Sequence, residues 1–393
     1  GMPMIPFFII GGVLGVTSFI KNKNKENEAT VIEEEIQSAE KTEEVVEQYL
    51  QVDPIEIEIG YGLISLVDES QGGNLFNKIS TTRKFIALEF GVLIPPVRVR
   101  DNLQLSPNEY IIKIKGNIAS SFEIHPDRFL AMNPGGIEDQ IDGMPTKDPA
   151  FGLQSYWVTR EEKDRAELLG FTVVDAISVL STHLQETLKE NFDKILSRQA
   201  VKQLLENLKK DYPAVIEDIS VDTLPLGTIQ KVLQNLLREL IPIKDLVQVI
   251  EALIDYSKVT KNIDVLTEYV RHSLNNTIAN LYKDGNGIIH ASAISEKLEA
   301  FITSSFQNQK DAVQTLGLNP VMLSDLKNKM QTIVGKFDAL GYKPVFITSA
   351  TIRPYFYRLV NSSFPNITVL SYTELPSQVE IEFIDNLELT NAY

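Results

Sequence analysis

Four histidines, His125, His183, His272 and His290, are the only imidazoles in a chain of 393 residues, and there is no cysteine. The missing thiols exclude disulfides, cysteine nucleophiles and cysteine-held zinc or iron–sulfur groups. Four scattered histidines do not supply the clustered ligands a zinc centre takes. Two neighbourhoods resemble fragments of a catalytic triad, His125-Pro126-Asp127 and Thr182-His183, but neither has an identifiable nucleophile with an orienting partner. His272 and His290 have no companion at ligand spacing and read as ordinary surface or core histidines. No serine stands in G-x-S-x-G, no G-x-x-x-x-G-K-[ST] offers a phosphate cradle, no G-x-G-x-x-G follows a strand-like run, and H-E-x-x-H is absent. Carboxylates are abundant, 53 against 37 Lys and Arg for a formal charge of −16. Their densest run is most simply a solvated face, and the acidic balance opposes a nucleic-acid surface. Binding rather than catalysis is the expected mode of function, with no cofactor.

The elements that would position these groups read as an α+β multidomain chain, since 43% hydrophobic residues over this length support several folded units. Residues 4–20, MIPFFIIGGVLGVTSFI, form an uncharged apolar run at the short end of what crosses a bilayer. Lys21, Lys23 and Lys25 follow as a cytoplasmic flank. Neither leading basic residues nor a small-residue cleavage site marks a secretory signal. A transmembrane helix is expected there, with later residues in the cytoplasm. Residues 21–53 read as an acidic flexible linker, in which Ile32, Ile36, Val45, Val46, Tyr49 and Leu50 offer short amphipathic turns.

A first α/β subdomain is expected from 54–126 plus 176–195. In it Pro54–Gly60 alternates as a strand does, 74–90 has helical spacing ended by Gly91, and strands follow at 97–100, 110–115 and 118–124. Residues 127–175, rich in Pro and Gly, read as an inserted loop-rich α/β subdomain with its own small core of Phe129, Phe151, Tyr156, Trp157 and Phe171. A central all-helical subdomain covers 196–282, where apolar residues such as Ile229, Val232, Leu233, Leu236 and Leu237 recur every three or four positions. A small C-terminal subdomain, 283–393, contains a βαβ unit of strand 345–348, helix 352–361 and parallel strand 367–372.

The runs GYGLISLVDESQGGNLFNKI (60–79), PPVRVRDNLQLSPNEYIIKIKG (95–116), DRFLAMNPG (127–135), DPAFGLQSYWV (148–158), GFTVVDA (170–176) and STHLQE (181–186) resemble a known family. So do LGTIQKVLQNLLRE (226–239), IKDLVQVIEAL (243–253), IRPYFYRLV (352–360) and FPNITVLSY (364–372). The likeness, from about Pro54 to Tyr372, is to the cytoplasmic region of the FlhA/SctV family of type III secretion export-gate proteins, in its flagellar branch. The start is similar to that family's last transmembrane helix, which implies a C-terminal piece of a longer inner-membrane protein. The resemblance implies four subdomains behind a linker, a homononameric ring beneath an export channel, and no enzymatic activity. The implied partners are flagellar export chaperones with bound cargo and other export-apparatus components, docking at a hydrophobic dimple between the first two subdomains. Asp148, Phe151 and Thr182 match that dimple, and Pro134, Leu153, Val174 and Val179 match its wall.

Elementary chemistry is compatible with that role. Pro149 biases Asp148 out of the helical region, a fixed Phe151 could anchor an amphipathic helix, and Asp148 on the rim would select register and reject acidic partners. The plainer alternatives are a core phenylalanine and an aspartate that starts a turn. An injectisome export-gate protein, and less readily a membrane-tethered enzyme built on the βαβ unit, are the competing functions.

Overall fold

Strict alternation in IEIEI makes β1 (Ile55–Ile59), with Ile55, Ile57 and Ile59 buried and the two glutamates on the other face. There Glu56 pairs with Arg100 at 2.9 Å and Glu58 pairs with Lys113. The computed structural model describes residues 52–388 apart from 69, 71, 138, 220, 221, 223 and 308–319. The expected transmembrane helix and nearly all of the acidic linker lie outside the described residues. Among the described residues, no helix is long and apolar enough to cross a membrane.

β2 (Val97–Asp101), β3 (Glu109–Ile114) and β4 (Asn117–Glu123) complete a first sheet in the order β2-β1-β3-β4. β1 runs parallel to β2 and antiparallel to β3, which turns tightly into β4 through Lys115 and Gly116. α1 (Leu75–Phe90) buries Leu75, Ile79, Ile86 and Phe90 and ends at Gly91, which takes φ 75° as its position past the helix predicts. A Cβ on Gly91 would lie 2.6 Å from the Lys244 backbone, so only glycine lets that segment approach.

The stretch expected to be an inserted loop-rich α/β subdomain holds a second sheet. β5 (Phe129–Met132), β6 (Met144–Lys147), β7 (Gln154–Val158) and β8 (Thr172–Asp175) run antiparallel in the order β6-β7-β5-β8, with α2 (Arg160–Leu168) between β7 and β8. Its small core consists of Ala131, Ile141, Val158, Ala166 and Phe171, with Phe129 and Tyr156 packed against it. Two residues expected in that core are elsewhere: Trp157 belongs to the main core, and Phe151 is 60% exposed.

α3 (Ala176–Glu190) starts at Asp175, whose carboxylate accepts from Ser178 N at 2.7 Å, a side-chain cap for an otherwise unpaired N–H. It packs against α1, where Thr82 and Ser181 share a 3.1 Å hydrogen bond. The turn α4 (Phe192–Ile195) leads into α5 (Arg198–Asp211), α6 (Pro213–Glu217), α7 (Leu226–Arg238), α8 (Leu246–Tyr256), α9 (Ile263–Ser273) and α10 (Asn275–Tyr282). The apolar stripes of α7 and α8 are buried as their spacing predicts. The C-terminal sheet, β11-β10-β9-β12, is wholly parallel and larger than the predicted unit. β10 (Val345–Thr348), α13 (Arg353–Asn361) and β11 (Thr368–Ser371) are that unit. β9 (Ile288–Ile294) and β12 (Glu380–Leu387) extend it, with α11 (Glu296–Gln307) and α12 (Pro320–Leu340) between β9 and β10.

One apolar core runs without interruption from Ile57 through Leu233 and Leu253 to Ile289 and Leu370. At its C-terminal side it encloses charge. Arg271 on α9 and Arg353 on α13 are each 1% exposed. Arg271 donates to both Glu374 oxygens at 2.9 and 2.7 Å and to Glu239 at 2.8 Å. Arg353 donates to Glu239 at 2.7 Å and binds Glu268 through a two-pronged contact. Both guanidiniums also reach the Val369 carbonyl at 3.4 Å. Burial opposes the charge on Arg271, but Glu239 and Glu374 outweigh it and raise its pKa well above the arginine norm. Burial likewise pushes Glu374 up, and Arg271 overcomes this to hold it below the usual carboxylate range.

Candidate partner-docking site

The segment DPAFGL joins β6 to β7 as a single hydrogen-bonded turn with both ends closed. Asp148 Oδ2 accepts from Ala150 N at 3.0 Å and Phe151 N at 2.6 Å. Pro149, which has no N–H to satisfy, follows Asp148 in the turn. Gly152, at φ 69°, donates to the Asp148 carbonyl at 2.9 Å, and Asp148 N donates to the Leu153 carbonyl at 2.8 Å. These bonds satisfy the turn's ends locally and leave the Phe151 ring in solvent. Exposing a phenyl ring forgoes its burial, on the order of 2 kcal/mol, and the turn directs it outward all the same.

Asp148 is not a rim group. It is 5% exposed, and its carboxylate is engaged by the turn's own amides. Its charge adds to burial in pushing the Tyr110 phenol well above its usual value. Tyr110 in turn shares a 2.7 Å hydrogen bond with His183 Nδ1 on α3, the rings meeting edge-on. Burial lowers His183 to about 4, so it is neutral near pH 7 and poorly matched to acid–base work there.

Asp148, Phe151 and Leu153 therefore share one turn, while Thr182 is carried on α3 beside His183. Leu153 and Pro134 are exposed, while Thr182 and Val174 are half-buried. Val179 is a correction: at 2% exposed it belongs to the main core and offers no surface to a partner. Phe151 also stands at the edge of a cleft of about 540 Å³ that the sequence does not announce. Phe90 and Lys189 line the same cleft, with Leu240, Pro344 and Pro365, and the other six expected residues lie outside it. Leu240 and Pro344 are far from residue 151 in sequence, so no local pattern could have joined them to it. The Arg271 and Arg353 cluster left one readable trace, since Arg271 falls on the apolar stripe of α9 with Leu266, Thr267 and Val270.

Residues 1–380 match the FHIPEP family. The chain belongs to that family. The flagellar biosynthesis protein FlhA of Bacillus subtilis is 39% identical over 368 residues, covering 93% of this chain and 54% of its own length. Its Escherichia coli counterpart is 33% identical over 379 residues, covering 95% and 54%. The chain thus spans about half the length of the curated relatives it matches. Among solved structures, Chlamydia pneumoniae CdsV shares the fold with a TM-score of 0.75 at 24% identity, over 86% of this chain and 98% of that one. The nonameric SctV-C of EPEC does so at 0.70 and 19%, over 85% and 98%. The FlhA/SctV resemblance read from the motifs and the mixed α/β class both hold.

Proposed function

We propose that this chain supplies the cytoplasmic docking platform of the flagellar protein-export gate, with Phe151 as the anchor for export chaperones carrying cargo. The observation that carries this reading is an aromatic ring held 60% in solvent by a turn capped at both ends. A packed domain leaves a large ring so exposed at the cost of its burial, whereas an amphipathic partner helix would cover it. The platform works by binding, needs no cofactor and does not touch nucleic acid. Identity of 39% to a flagellar biosynthesis protein over 93% of this chain supports flagellar over injectisome service. The whole protein would sit in the bacterial inner membrane, with residues after about 20 in the cytoplasm. Its folded units would be 54–126 with 176–195, 127–175, 196–282 and 283–393. The solved SctV-C of EPEC is nonameric, and CdsV has been solved with CdsO. A nine-membered ring and contacts with other export-apparatus components are proposed here by analogy.

The test is calorimetric titration of the chain with flagellin bound to its export chaperone, both from the source organism. Phe151→Ala is expected to weaken binding at least tenfold, the range for loss of a central aromatic anchor, with unchanged thermal stability. Equal affinity for both proteins removes Phe151 from the site.

A further inference from the structure

His290 holds both of its ring nitrogens against carboxylates. Nε2 stands 3.2 Å from Asp284 Oδ2, and Nδ1 stands 3.2 Å from Glu382 Oε2. Tyr342, just past α12, stacks on the ring at 3.7 Å and 15°. Glu382 lies directly opposite His290 in the parallel β9–β12 ladder, and Asp284 closes the turn that leads from α10 into β9. A neutral imidazole has one N–H, so only the imidazolium donates to both carboxylates. We propose that His290 is a proton-operated fastener for the first half of β12, the last described strand of the chain.

The strand itself shows where such a fastener acts. Its register shifts between Phe383 and Asp385. Beyond that bulge Lys336 binds Asp385 at 2.5 Å, Lys329 reaches the Glu388 carbonyl, and Ser292 Oγ donates to the Asp385 carbonyl at 3.0 Å. Before it, β12 is a sheet edge with Phe383 half exposed, and the His290–Glu382 bond ties its side chains to β9. Asp284 is fixed by the Ile288 and Asn286 amides at 2.9 and 2.8 Å, and the Ile288 bond foremost holds its carboxyl below the usual range. It therefore stays a charged acceptor and retains the last proton on Nε2. Nδ1 then turns a lone pair toward Glu382, which is 64% exposed and swings away into solvent. The other charges nearby are engaged or turned away: Lys336 is on Asp385, Lys283 on Asn280, Lys343 lines the Phe151 cleft, and Glu380 is exposed opposite Ile288. The fastening is complete below the ordinary histidine range near 6.5 and is lost as pH rises through it. This device is independent of the Phe151 reading.

Hydrogen exchange of the full chain at about pH 5.5 and 8.5, corrected for the intrinsic effect of pH, tests it. Amides of residues 381–383 are expected to lose about two- to fivefold in protection at the higher pH, the range for one partly exposed ion pair. Amides of 385–387, held by the α12 lysines and Ser292, are expected to stay as they were. Two variants isolate the proton. In Glu382→Gln the side-chain amide donates to a neutral Nδ1 and its carbonyl accepts from a protonated one, so residues 381–383 should stay protected at both pH values. His290→Phe keeps an aromatic ring against Tyr342 but offers no donor, and the same residues should be equally loose at both. Wild-type protection that does not change with pH overturns the proposal. So does a loss spread evenly over 381–387, or a variant that responds to pH as the wild type does.

Discussion

At pH 7 His183 carries no charge, because burial lowers it to about 4. The unfolded chain, with an ordinary histidine near 6.5, binds more protons than the folded one between those values. Stability from this group is therefore complete above about pH 6.5 and falls as pH drops toward 4. The shift corresponds to a loss of about 2–3 kcal/mol between pH 7 and pH 4.5. Urea unfolding at the two pH values should show His183→Gln losing less stability than the wild type by about that amount. Parallel losses would mean that the imidazole titrates normally in the folded state. The same residue shows what sequence can and cannot say. Its type suggested chemistry and the absence of a triad argued against it, but only burial beside Tyr110 and Phe122 shows why it is inert.

Elements were readable where one local period dominated. The 3.6-residue stripes gave α1, α7 and α8, the alternation of IEIEI gave β1, and the βαβ unit came out within a residue or two of its bounds. The second sheet was not readable, because its strands are four or five residues long and separated by Pro- and Gly-rich turns. That composition signals loops while concealing the pairing between them. Asp-Pro and the following glycine did announce a turn, yet its double closure depends on hydrogen bonds that no pattern encodes. Turn chemistry also yields a prediction in the first sheet. The β3–β4 hairpin places Lys115 at φ 51° and Gly116 at φ 77°, the mirror-image two-residue turn that matches strand twist. Glycine accepts this freely, whereas lysine is strained in the left-handed region and asparagine less so. Lys115 is exposed, so Lys115→Asn should raise unfolding stability by about 0.5–1 kcal/mol without altering the sheet. A loss in a thermal melt would show that the side chain contributes more than its backbone costs.

Across the whole described chain, the contacts least visible in sequence are those that join distant elements. Glu239, Glu268, Arg271, Arg353 and Glu374 come from the end of α7, from α9, from α13 and from the turn after β11, and they meet where the helices pack on the C-terminal sheet. Against ordinary burial such charges are costly, and this cluster persists because every guanidinium edge is engaged by carboxylate or carbonyl oxygen. Five charges at hydrogen-bond distance tie helices to sheet beside the far wall of the Phe151 cleft, since Leu240 follows Glu239 directly and Pro365 precedes β11. Arg271→Met removes the hub while roughly keeping volume. It leaves Glu374, itself 1% exposed, with the Ser371 hydroxyl and Arg353 Nε at 3.5 Å, and removing the main partner of a buried carboxylate in this way costs about 3–5 kcal/mol. Adding Glu374→Met to that variant removes the stranded charge and should return much of the loss, because an apolar pair needs no partner. Urea midpoints of the full chain read both effects. A single variant that loses less than about 1 kcal/mol, or a double variant no better than the single, would show that water already solvates this cluster and that the far wall is free to move.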